Sequence, residues 1–136
     1  MRVVESQWWI IELPDEWEAD QDEETIIISD EDGVGEIAIT TLKKEAGLVD
    51  EAELHDYLSD IVELFGPAES TQMAELSGYY IAYKEDGDAV REWYLRYDNL
   101  LVLITYSCDY NNAGMDDSAV DEILGTLFIK LDQPEE

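Results

Sequence analysis

Basic residues are scarce in this chain: 7 lysines and arginines stand against 35 aspartates and glutamates, a formal net charge of −28. Phosphate backbones and anionic lipid headgroups are held by basic side chains that displace counterions, so this charge excludes nucleic acid and anionic membrane surfaces as partners. A protein partner is expected to be basic. Cysteine is limited to Cys108; no internal disulfide can form, which suits a reducing cytoplasm. With no activating base beside it in sequence, the thiol reads as a small residue packed near a strand end. The only histidine is His55, flanked by Asp56, and it reads as a solvated helix residue rather than a ligand or a base. No stretch approaches the 18 or so apolar residues of a membrane-spanning helix. The opening MRVVESQWWIIEL is broken by Glu5, Ser6 and Gln7, unlike a secretory leader, so a cytoplasmic location is expected.

What is present is globular. Hydrophobic residues make up 46% of the 136 positions, enough for one domain that buries about two thirds of its unfolded surface. The domain is expected over residues 1–131, with 132–136 as a frayed acidic tail. WWIIEL reads as a first strand ending near Leu13, with Pro14 and Asp15 turning the chain away. ETIII and GEIAITTL read as two strands joined through Asp30, Glu31, Asp32 and Gly33. Asp50 and Glu53 have the spacing of a capping box, and Leu54, Tyr57, Leu58, Ile61, Val62 and Phe65 recur as one stripe of an amphipathic helix that Gly66 and Pro67 end. Four strands follow, ESTQMAEL, GYYIAYKE, AVREWYLRY and LLVLITYSC, the last apolar on both faces and so expected at the centre of the sheet. DDSAVDEILGTLFIKL closes the domain as a second helix with Val120, Ile123, Leu124, Leu127 and Phe128 toward the core. The expected class is α+β: an antiparallel sheet of six or seven strands flanked by two helices, in the order β-β-β-α-β-β-β-β-α.

No phosphate loop, Cys/His metal spacing or nucleophile elbow is present, so no catalytic residue, metal site or cofactor is assigned. The acids around Asp30 invite a calcium reading, but counting back from Gly33 to the first loop position reaches Ile28, which offers no side-chain ligand. Two surfaces remain. Residues 15 to 36 carry eleven carboxylates and no basic residue; Asp20, Asp22, Glu23, Glu24, Asp30, Glu31 and Asp32 are candidates for docking a basic protein, against the plainer reading of a solvated face. Tyr80, Tyr94 and Arg96 are candidates for a groove that takes a small ligand or peptide, against core packing and cross-strand pairing of the same aromatics.

The aromatic first strand WWIIELPDEW, running through Leu13 and Pro14 to Trp17, with the middle helix and the late WYLRYDNLLVLITYSC before a closing helix, resembles the PsbP-like superfamily. That group includes Mog-type Ran-binding proteins, DcrB-like proteins and type VI effector-loading chaperones. The resemblance implies an antiparallel sheet flanked by helices and non-enzymatic protein binding. It carries no catalytic residue onto this chain. The expected function is a non-catalytic protein-binding module, an adaptor, chaperone or immunity-type protein acting on a basic partner.

Overall fold

The computed structural model describes residues 2–6, 8–22, 25–31, 35–44, 47, 49–73, 75–115 and 117–129. Within them the chain forms β1 (Arg2–Glu5), β2 (Trp9–Leu13), β3 (Trp17–Asp22), β4 (Thr25–Asp30), β5 (Gly35–Lys43) and α1 (Glu51–Phe65). It continues through β6 (Glu69–Met73), β7 (Leu76–Glu85), β8 (Asp88–Tyr97), β9 (Leu100–Asp109), a 3-10 turn at Tyr110–Asn112, α2 (Asp117–Gly125) and β10 (Phe128–Ile129). Two antiparallel sheets result: seven strands ordered β3-β4-β5-β9-β8-β7-β6, and three ordered β1-β2-β10. The α+β class, both helices and the central place of β9 agree with the sequence.

Side-chain alternation turns the large sheet into a wall between two layers. Ile26 and Ile28 of β4, Ile37 and Ile39 of β5, Val102, Ile104 and Tyr106 of β9, and Trp93 and Leu95 of β8 point inward. They pack with Trp9, Ile11 and Leu13 of the small sheet and with Val120, Ile123 and Leu124 of α2. On the outer face α1 lies over β7 and β8. Leu54 there joins Val49 and Leu101 in a smaller cluster, edged by Tyr79 and Tyr94.

Local chemistry explains the joints. The capping box forms as its spacing requires: Glu53 N donates to Asp50 Oδ1 at 3.0 Å and Asp50 N to Glu53 Oε1 at 3.2 Å. Lys44 Nζ bonds the same Glu53 carboxylate at 2.9 Å, and that bond, helped by the Asp50 backbone, holds Glu53 below the usual carboxylate range. Asp86 and Gly87, both at positive φ, make the two-residue turn between β7 and β8. Asp98 at φ 56° opens the next turn, before Asn99.

Four expectations need correction. The first strand, β2, does not join the large sheet but the small one. Residues 17–22 are a strand rather than a loop; their carboxylates mask the strand pattern, because acids are poor strand formers and only an edge strand tolerates them. A short strand also precedes β2, since β1 pairs with it. The closing helix ends at Gly125, and Phe128, expected in the core, is exposed on β10 while Leu127 and Ile129 are buried. The expected domain end and tail, residues 130–136, lie outside the described residues.

Candidate functional site

Register decides which candidate residues share a surface. Across the outer face Glu18 pairs with Ser29, Asp20 with Ile27, Ile27 with Ala38, and Ala38 with Thr105. One strand-pair further along, Thr25 pairs with Thr40 and Thr40 with Leu103; the Thr25 and Thr40 hydroxyls bond at 2.8 Å. None of the described outward side chains of β3, β4 and β5 is buried, whereas Trp17, Ile26, Ile28, Ile37, Ile39 and Thr41 on the inward side all are. This half of the outer face is a platform of Thr, Ser, Ala and Ile side chains with Glu18, Asp20 and Glu36 exposed on it.

The acidic wall is therefore not one surface. Asp20 stands on the outer face of the edge strand β3. Asp30 pairs with the inward Trp17 and lies on the opposite side of the sheet, half-buried, and Glu31 follows it in an exposed turn. Asp22 pairs with Thr25, but its side chain is outside the described structure, as are Glu23, Glu24 and Asp32. Glu18 and Glu36 belong to the outer platform and were not singled out from the sequence. Period-two alternation through Trp17, Ala19 and Gln21 was the signal that places Glu18 beside Asp20.

The aromatic hairpin divides in the same way. Tyr80 pairs with Trp93 and faces inward, with ring centroids 5.1 Å apart, whereas Tyr94 and Arg96 face outward beneath α1. On the inner side Arg91, passed over from the sequence as a site residue, bonds Tyr80 Oη through Nε at 3.0 Å, Asp117 at 3.3 Å and Asp121 at 2.8 Å. Its guanidinium lies 4.8 Å from the Trp93 ring centroid. Burial works against this charge, but the bonds with Asp121 and Tyr80 more than offset it, so the Arg91 pKa is raised. Arg91 thus clasps α2 to the sheet.

On the outer side Glu92 accepts from Tyr83 Oη at 2.8 Å and from Tyr94 Oη at 2.6 Å. Burial, reinforced by the Glu92 carboxylate, raises both phenols above their ordinary range. Phe65 of α1 stacks on Tyr83 at 4.2 Å. His55 sits exposed on α1 with Nε2 3.2 Å from Tyr79 Oη. Between α1 and the β6–β7 edge an open groove of about 700 Å³ is lined by His55, Leu58, Val62, Pro67 and Tyr79, among others. A smaller recess of about 170 Å³ beside it includes Leu54, Ser70, Ser77, Tyr79 and Arg96. Among the described residues no three His, Cys, Asp or Glu side chains converge in a way that could hold a metal ion.

No protein-family profile matches the sequence, and no curated protein does either. Solved structures do. A protein from Bacteroides thetaiotaomicron VPI-5482 matches with TM-score 0.66 and 16% identity, covering 95% of this chain and 47% of that one, so this chain spans about half of that neighbour. LpqN of Mycobacterium tuberculosis, described as involved in cell envelope biogenesis, matches with TM-score 0.63 and 12% identity over 89% of this chain and 82% of its own. The neighbours also include cyanobacterial PsbP from Synechocystis sp. PCC 6803, the superfamily the sequence resembles, with TM-score 0.46 and 11% identity over 89% of this chain and 86% of that one. That last likeness is too loose to build on. At these identities the first two show a shared α+β fold and nothing of function.

Proposed function

We propose that this domain is a non-catalytic protein-binding module that docks a basic protein on the outer platform of β3, β4 and β5. The observation that carries the reading is the platform itself. A sheet face on which none of the described outward side chains is buried, built from small and β-branched residues and bearing Glu18, Asp20 and Glu36, offers a flat, weakly polar centre with a rim of one sign. A rim of that kind steers an oppositely charged partner and rejects nucleic acid. The non-catalytic half of the reading is supported by how the converging polar groups are used: Arg91 is held by two aspartates, and Glu92 by two phenols. The PsbP-like resemblance supports, as part of the same proposal, an adaptor or chaperone role of the Mog-type, DcrB-like or effector-loading kind.

The test starts with capture from native lysate at low salt, followed by association kinetics of the captured partner with Glu18→Gln/Asp20→Asn/Glu36→Gln. Rim charges act mainly on the on-rate, so the triple variant should associate more slowly and lose the salt dependence of binding. An unchanged on-rate, or a partner that is not basic, refutes the docking face.

A further inference from the structure

Among the described residues Arg96 is a cation without an anion. Arg91 takes two aspartates and Lys44 takes Glu53, yet among the described residues Arg96 makes no ion pair in a chain of 35 acids. Its one bond there runs from Nη1 to the Val49 carbonyl at 3.2 Å. Nε is buried with no hydrogen-bond partner. A buried donor left unpaired carries a desolvation cost that a ligand can relieve.

The surroundings are those of a recess rather than a packed core. Arg96 pairs with Ser77 across β8 and β7, and Ser70 pairs with Tyr79 across β6 and β7. Together with Leu54 of α1 these residues border a cavity of about 170 Å³. We propose that this recess binds a carboxylate group, taken by the guanidinium of Arg96 with the hydroxyls of Ser70 and Ser77 as further donors.

Three physical arguments support that ligand class. First, with Nη1 engaged by Val49, the guanidinium edge that remains carries Nε and Nη2, whose N–H bonds are parallel and match the two oxygens of a carboxylate once the side chain turns Nε, enclosed here, toward the recess. The Nη1 end is anchored: Val49, whose carbonyl it bonds, is itself buried, and the Val49 N–H donates to the Asp98 carbonyl at 2.9 Å. Second, a water occupies about 30 Å³ of liquid, so the recess itself holds a carboxylate and a few carbons. Third, a net charge of −28 penalises each added negative charge, favouring a singly charged carboxylate over a phosphate. Tyr79 also lines the 700 Å³ groove alongside, which gives a larger molecule room for the part that follows its carboxylate. The carboxylate can belong to a small free acid or to the C-terminus of a peptide, and the test separates the two. This site lies on the other half of the outer face from the β3–β5 platform and does not depend on the docking proposal.

The experiment uses the full chain with 15N-labelled arginine and follows the Arg96 Nε–Hε resonance by NMR. Probes are butyrate, butyramide, inorganic phosphate, and one short apolar peptide with a free or an amidated C-terminus. Expected are saturable shifts with butyrate or the free-acid peptide, none with the two amides, and weaker binding of phosphate. Tighter binding of the peptide than of butyrate assigns a chain terminus as the source, and equal or weaker binding assigns a small acid. Arg96→Lys keeps the charge but loses the fork and should weaken binding about tenfold or more. The site is overturned if neither carboxylate shifts the resonance, if the amides act equally, if phosphate binds more tightly, or if a folded Arg96→Lys binds as well as the parent. Should Arg96→Lys fail to fold, Ser70→Ala/Ser77→Ala decides instead: several-fold weaker binding supports the site and unchanged affinity overturns it.

Discussion

The indole Nε1 of Trp9 donates a hydrogen bond to Thr41 Oγ1 at 2.8 Å, with both side chains buried. Trp9 belongs to the small sheet and Thr41 to β5 of the large one, so this bond stitches the two sheets through the core. Thr41 is the one buried polar side chain among the described residues. Thr41→Val keeps the shape but leaves the indole N–H unpaired, and should destabilise by about 1–3 kcal/mol in urea unfolding. Thr41→Ser, which keeps the acceptor, should cost less than Thr41→Val.

The α1 stripe makes a second test. Leu58 is 3% exposed and Leu64, six residues further on, is 69% exposed. Leu58→Ala should cost about 2–5 kcal/mol, while Leu64→Ala should stay within about 0.5 kcal/mol. Equal effects in chemical denaturation would mean that α1 does not sit on the sheet by this face.

Tyr83 and Tyr94 give the fold an alkaline limit. Both phenols are raised by burial and by Glu92, so the folded state favours their neutral form. Their contribution is complete below the ordinary tyrosine value of about 10 and is lost as pH rises through the folded values. Phenolate absorbance from these two should therefore appear together with unfolding measured by circular dichroism. Glu92→Gln removes the carboxylate and should bring their ionisation down to lower pH.

Salt should stabilise the domain. Raising ionic strength from 0.1 to 1 M shortens the screening length from about 10 Å to about 3 Å, which relieves self-repulsion among surface acids. The thermal midpoint should rise with KCl, and rise less in Glu18→Gln/Asp20→Asn/Glu36→Gln. The same variant removes charge from the edge strand β3, where charge discourages edge-to-edge pairing. Sedimentation at high protein concentration should show more self-association for the variant than for the parent.

How much could be read in advance varies with the range of the interactions. The capping box at Asp50 and Glu53 and the stop of α1 at Gly66 were legible because each is decided within a few residues. The central position of β9 was legible because apolar side chains on both faces, from Leu100 to Ile104, leave it nowhere else to go. β3 was not, because its acids contradict strand propensity and only its place at the sheet edge, facing solvent, makes them acceptable. The end of α2 at Gly125 was missed because Leu127, Phe128 and Ile129 look like more helix until β10 finds β2.

The charge, the two helices and the alternation of most of the strands follow from the chain alone, since periodicity and turn chemistry are properties of short segments. Which side chains meet is different. Asp20 and Asp30 fall on opposite faces, Tyr80 is parted from Tyr94 and Arg96, Arg91 finds Asp117 and Asp121, and Arg96 finds the Val49 carbonyl. Those outcomes depend on the register of strand pairs and on which layer each face meets. A shift of one residue in that register would reverse every face, so only the closed tertiary structure decides them.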